Sequence, residues 1–207
     1  MDFRNAKELL KVCQEQGLSI SAVMLQRELT EGEQDPEETD RKMDRVLEIM
    51  KSAASTPIHT PVKSMGGLIG GEAKKISDHK DTGKGLCGDL LERAVIYAMA
   101  TLETNASMGV IVASPTAGSA GIVPGLLLAL QETYNLSDEQ IKQGLYNASA
   151  IGYLAMRNAT VAGAVGGCQA EVGIASAMAA SATVELMGGS PEQSLAAAST
   201  VLMNMLG

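Results

Sequence analysis

The chain has 207 residues, 45% hydrophobic and 19% charged, which is enough apolar material to bury a core and too much for a disordered chain. Aromatics make up only 2%, with no Trp and a single Phe, so the core must be built from aliphatic residues and Met; that favours packed helices and argues against a β-sandwich. A net charge of -8 argues against nucleic acid as a partner, because phosphate binding needs a basic surface.

In chain order, Phe3, Ala6, Leu10 and Cys13 fall at helical spacing, and Gly17 stands where a helix-ending glycine belongs. A second helix is expected over Ser19 to Glu31, followed by the acidic turn "EGEQDPEETD". Asp35-Pro36-Glu37-Glu38 opens a third: an N-cap acid, proline at the first helical position, then carboxylates facing the positive end of the dipole. Met43, Val46, Leu47 and Met50 give it an apolar face. After Ser55 the Gly-, Lys- and Pro-rich stretch ending "DTGKGLCGD" reads mostly as loop. Helix resumes at Asp89, with Leu91, Ala94, Val95 and Ala98 on one face. Ser137-Asp138-Glu139-Gln140 and Ser190-Pro191-Glu192-Gln193 are capping boxes that open alanine-rich helices. No strand-like alternation appears, so the fold class expected is all-α: residues 1–55 a helical lead-in, residues 56–207 the functional body.

The three cysteines, Cys13, Cys87 and Cys168, are widely separated, and the N-terminus "MDFRNAKELL" is charged from its second residue. A disulfide framework and a signal peptide are not indicated, and a reducing cytoplasm is the expected location. The stretch between Glu103 and Glu132 is uncharged, but Asn, Ser, Thr, Pro and Gly interrupt it. Its longest clean apolar run, Leu126 to Leu130, is far short of the roughly 20 residues of a membrane span, so no membrane contact is expected.

Three glycine-rich segments precede expected helices: Gly66 to Glu72, Ser114 to Gly121, and Gly163 to Gly173. "SPTAGSAG" has the parts of an anion cradle, with hydroxyls from Ser114, Thr116 and Ser119 and the N–H groups of a following helix. It lacks a P-loop lysine, so a carboxylate or single phosphate suits it better than a nucleoside triphosphate. An equally good reading is a buried turn whose small residues permit close helix packing. His59 and His79 are isolated in the loop-rich stretch, either as a general base or as solvated residues, and Lys63, Lys74, Lys75, Lys80 and Lys84 read as an exposed basic stretch. Cys13 reads as packing; Cys87, near Lys84, reads either as a reactive thiol or, preferentially, as packing. Cys168 stands at a helix N-terminus, where the dipole favours a thiolate, and Gly163, Gly166 and Gly167 are expected to leave its approach open. One thiol builds no metal site by itself, because zinc takes about four ligands and iron–sulfur clusters three or four cysteines.

"ASPTAGSAGIVPG" at 113–125 and "GGCQAEVGIASAMAA" at 166–180 resemble the signature segments of the α subunit of the bacterial iron–sulfur L-serine dehydratase. "FRNAKELL", "GLIGGEA" and "GGSPEQSLAAA…NMLG" match the same family in order, so the resemblance runs along essentially the whole chain. It implies an L-serine ammonia-lyase that forms pyruvate and ammonia, with a [4Fe–4S] cluster held by three cysteines acting as Lewis acid on the substrate hydroxyl. It implies Cys168 as a cluster ligand, and Ser114, Thr116, Ala117, Gly118 and Ser119 as the lining of the L-serine pocket. It also implies a β subunit as partner in an oligomer, with no residue of this chain assigned as the base. Two departures stand out. The family pattern continues past "NMLG" to the remaining cysteine ligands, whereas the given chain stops at Gly207, and Gly66, Ile69 and Glu72 replace residues of the family's threonine-bearing first loop. The rival readings are a related iron–sulfur dehydratase or cysteine desulfidase, a purely structural fragment, and a PLP enzyme, for which no lysine has a convincing Schiff-base setting.

Overall fold

A computed structural model describes residues 2–32 and 35–206. The middle of the expected acidic turn and the terminal Gly207 lie outside the described residues. Among the described residues the chain forms nine helices and no strand: α1 (Ala6–Gln16), α2 (Ile20–Glu31), α3 (Pro36–His59), α4 (Glu72–Asp81), α5 (Asp89–Ala106), α6 (Ile122–Tyr134), α7 (Asp138–Asn158), α8 (Gly163–Leu186) and α9 (Pro191–Leu206). Among the described residues the fold is all-α, as the aliphatic composition favours. No helix among the described residues is long and apolar enough to cross a membrane. The chain divides into two compact units, one of Met1–Arg45 with Asp138–Gly207, the other Val46–Ser137.

In the first unit, Asn5 caps α1 by accepting the Glu8 N–H at 3.0 Å, and Gly17 ends it in the left-handed conformation (φ 64°). Leu9 and Cys13, one helical turn apart, face the core, whereas Ala6 is exposed and Leu10 only half-buried. The apolar face is therefore rotated by one residue from the expected one, because Phe3 packs ahead of the helix rather than within it. Phe3, Leu9, Cys13, Ile20, Val23, Met24, Tyr146 and Ala150 form one cluster. Asp2 ties the N-terminus across this core, accepting from Arg27 Nε (3.0 Å), Tyr153 Oη (2.8 Å) and Arg157 Nη1 (2.9 Å). Small residues let α7, α8 and α9 approach closely: a Cβ on Gly152 would lie 3.2 Å from Met178, and one on Gly173 would lie 3.2 Å from Met205. The Ser190 capping box is reciprocal, with Ser190 N–H on Gln193 Oε1 (2.8 Å) and Gln193 N–H on Ser190 Oγ (3.3 Å).

Asp35 caps α3 as expected, its carboxylate accepting the Glu38 N–H at 2.9 Å. The second unit takes up the later part of that helix together with α4, α5 and α6. The stretch after Ser55 is more ordered than its composition suggests. α3 continues through Pro57 to His59, and α4 forms in the middle of it. α4 carries almost no periodic apolar signal, burying only Ala73, so its helicity depends on tertiary contact rather than on an amphipathic stripe. On α5 the buried side is Ala94, Ile96, Ala100, Thr101 and Glu103, while the expected face residues Leu91 and Val95 are exposed. The reason lies in the α5–α6 crossing. A Cβ on Gly121 would meet Ala98 O at 2.6 Å, and one on Gly125 would meet Ala94 O at 2.9 Å, so backbone contact at the alanines sets the face.

Candidate active site

The 114–121 segment leads directly into α6, whose N-cap position is Gly121 with no side-chain cap. The Ser114–Pro115 peptide is cis. Ser119 Oγ donates to Ser114 O (3.3 Å) and shares a 3.2 Å hydrogen bond with Thr116 Oγ1, while the Ile122 N–H returns to Ser119 O at 3.1 Å. Ala117 and Gly118 form an exposed apex over the buried Ser114 and Ser119. Ser114 is only 6% exposed, yet its Oγ has no hydrogen-bond partner. A buried hydroxyl without a partner is costly, and this one is free to hydrogen-bond a group that enters the loop. Both sequence readings of the segment thus have a physical basis: Gly121 serves close helix packing, and Ser114 to Ser119 form a polar cradle at an uncapped helix start.

The C-terminal turn of α5 gathers the surrounding segments, and nothing in the sequence reading drew attention to it. Glu103 accepts the Ala73 N–H at 2.7 Å, Thr104 Oγ1 donates to Ala53 O at 2.9 Å, and Asn105 Nδ2 donates to Ala117 O at 3.0 Å. Ala106 O accepts the Met65 N–H at 3.4 Å. The 114–121 segment, through Ala117, and the two residues that flank the 66–72 segment, Met65 and Ala73, are therefore anchored on one helix end. Gly70 has φ 150°, and a Cβ there would overlap Val62 O at 2.2 Å, so only glycine fits this turn.

The third segment lies in the other compact unit. Within α8 the backbone breaks at Gly167 (φ 81°, ψ 165°), and Cys168 is the first residue of the helical run that follows. Its thiol is exposed at the positive end of that run. The expected open approach holds only at Gly167, around which a Cβ would meet nothing. The space beside Gly163 is filled by the Glu171 carboxylate, and that beside Gly166 by Thr160 and Ala170, so these two glycines serve internal packing. Cys13 is buried, and desolvation, helped by the nearby Glu185 and Glu192 charges, pushes its thiol up to about 11, which suits a packing residue. Cys87, by contrast, is exposed in the loop before α5, so the packing reading does not hold for it. Among the described residues, no group of three His, Cys, Asp or Glu side chains is placed to hold a metal. The residues present fit one thiol ligand of a three-cysteine cluster and not the full set.

Both histidines are exposed. His59 lines a cleft of about 360 Å³ in the second unit with Lys80, Arg93, Tyr97 and Glu132. Charge pairs fill that cleft: Arg93 on Glu132 (2.5 Å) and Asp89 (2.7 Å), and Lys80 on Asp89 (2.6 Å). Burial and the hydrogen bond to Glu132 push the Tyr97 phenol up to about 12. In the first unit the buried Lys142 is held by Asp40 (2.7 Å), Glu139 (2.8 Å) and Asp44 (2.9 Å). These satisfied networks read as structural.

The serine dehydratase alpha chain family model matches residues 15–207. Over 205 residues, 99% of this chain, the sequence is 47% identical to the probable L-serine dehydratase alpha chain of Bacillus subtilis, covering 68% of that protein. It is 43% identical over 205 residues to the L-serine dehydratase alpha chain of Peptoniphilus asaccharolyticus, covering 70% of it. An L-serine dehydratase of Escherichia coli, TdcG, is 33% identical over 211 residues, and the chain spans 46% of its length.

Proposed function

Since the chain belongs to the serine dehydratase alpha chain family, we propose that it is the α subunit of an L-serine ammonia-lyase and binds L-serine at the 114–121 loop. The observation that carries the site is the buried, unpartnered Ser114 Oγ beneath the exposed Ala117–Gly118 apex. The serine carboxylate takes the hydrogen bond that Ser114 Oγ lacks, and it faces the uncapped start of α6, where the helix dipole favours an anion. Thr116 and Ser119, already bonded to one another, hold the loop in the shape that receives it. Carboxylate binding of this kind lowers the cost of negative charge developing next to it when the α-proton leaves. The products are pyruvate and ammonia, by loss of the hydroxyl and hydrolysis of the resulting enamine.

In this reading Cys168, exposed at the α8 break, is the ligand these residues give to a [4Fe–4S] cluster. The described residues do not assemble the other two thiolate ligands. A β subunit is the partner, in keeping with the names of the relatives, which are called alpha chains, and the oligomer is cytoplasmic. The test is pyruvate release from L-serine by the anaerobically reconstituted enzyme containing this chain. Ser114→Ala is expected to raise KM about tenfold, the scale of one lost hydrogen bond to a charged group. Unchanged KM in that variant would remove the loop from the substrate site.

A further inference from the structure

Asn105 lies on the last turn of α5, and the proposed reaction gives it no role. Its Nδ2 donates to Ala117 O at 3.0 Å, at the apex of the 114–121 loop. A carbonyl oxygen only accepts, so the amide nitrogen must be the end that faces the loop. The backbone beneath this side chain is also held. Asn105 O accepts the Met108 N–H at 3.0 Å, the Gly109 N–H returns to Thr104 O at 2.8 Å, and Met108 takes the left-handed conformation (φ 65°) that ends a helix in this pattern. A Cβ on Gly109 would stand 2.9 Å from Thr104 O, so the helix end leaves little room for adjustment. Thr104 Oγ1 ties the same turn to Ala53 O of α3 at 2.9 Å. Asn105 thus reaches the loop from a fixed base.

We propose that Asn105 is a positioning residue of the substrate site: by holding Ala117 O it turns the Gly118 N–H outward as a donor to the L-serine carboxylate, in addition to Ser114 Oγ. The inference rests on the assignment of the 114–121 loop to L-serine. The Ala117–Gly118 peptide is trans, so its C=O and N–H point in opposite directions. With the C=O committed to Asn105, the N–H faces away from it. Gly118 is exposed, and among the described residues no group accepts its N–H. The one other hydrogen bond that holds this peptide is the Ala120 N–H on Ala117 O, long at 3.4 Å. Without the Asn105 bond the peptide plane is free to turn over. A plane that does so presents a carbonyl where the N–H stood, and a carbonyl oxygen repels a carboxylate.

The experiment compares Asn105→Ala and Asn105→Asp with wild type in the assembled, anaerobically reconstituted enzyme, with urea unfolding of each alongside. Asn105→Ala should raise KM for L-serine about tenfold and keep kcat within about twofold, the pattern of lost substrate binding. Asn105→Asp keeps the size of the side chain, but an ionised carboxylate cannot donate to Ala117 O, so it should raise KM at least as much. An unchanged KM in both variants overturns the proposal, and a lowered urea midpoint beside that unchanged KM would make the bond purely structural. A large loss of kcat at unchanged KM also overturns it, since Asn105 would then act in the chemical step rather than through the loop. If Asn105→Ala fails to fold, the same-sized Asn105→Asp decides. A wild-type enzyme that releases no pyruvate from L-serine defeats the functional reading and this proposal with it, whereas an active wild type with unmoved KM in the variants defeats this proposal alone.

Discussion

Gly121→Ala perturbs the point where the candidate loop is joined to its scaffold. A Cβ at Gly121 would stand 2.6 Å from Ala98 O and 3.2 Å from Ala98 Cα, both main-chain atoms that no side-chain rotation can move aside. The backbone at Gly121 is helical (φ -80°, ψ -20°), so alanine is not strained there, and its lower unfolded-state entropy contributes about 0.4–1 kcal/mol in its favour. Relief of the overlap requires α6 to shift away from α5, an overpacking effect of about 1–3 kcal/mol. The net expectation is a loss of about 1–2 kcal/mol, read as a lower urea midpoint at unchanged slope. KM for L-serine should rise with it, because the displaced helix start carries the Ser119–Ile122 hydrogen bond. Gly66→Ala is the control: nothing lies within 4 Å of its Cβ position and its φ is not in the left-handed region, so it should be neutral. A Gly121→Ala protein as stable as wild type would refute close backbone approach as the reason for glycine at this position.

Other expectations test separate parts of the account. Ser190→Ala removes one half of a reciprocal cap and should cost about 1 kcal/mol in thermal or urea unfolding; no change would show that α9 starts without it. Burial opposes the charge on Asp2, but hydrogen bonds from Tyr153, Arg27 and Arg157 outweigh it and hold the carboxyl well below the ordinary range. Its contribution is therefore fully present above the unfolded-state pKa and is lost as pH falls, so the stability gap between wild type and Asp2→Asn should close in acid and not in alkali. The cluster-free folded chain should react with a maleimide at Cys87 and Cys168 and not at the buried Cys13; a third thiol labelled without unfolding would contradict the described core.

Local chemistry was the most legible part of the sequence. Gly17, Asp35 and the Ser190 box all sit where their side chains, or the lack of one, meet a helix terminus, and such signals need no tertiary partner. α4 was hidden because its ten residues bury only Ala73, and the contact that organises its start comes from Glu103, thirty positions away. The rotated face of α5 has the same origin: Gly121 and Gly125 invite the alanine side, and hydrophobicity alone points to Leu91 and Val95. Glu103 itself left one clue, as the last charge before the uncharged stretch that reaches Glu132. Around Cys168 the glycine pattern was legible as a backbone break, but not that neighbouring side chains occupy the space beside Gly163 and Gly166.

The central claim is that this chain brings an L-serine cradle at 114–121 and a cluster-ligating Cys168 to one lyase. The most direct test is anaerobic reconstitution of the assembled enzyme with iron and sulfide, with pyruvate and ammonia then measured from L-serine for wild type, Ser114→Ala and Cys168→Ser. The account predicts equimolar products from wild type, a raised KM for Ser114→Ala, and loss of both iron and turnover in Cys168→Ser. Full iron content and undiminished pyruvate formation in Cys168→Ser would contradict it.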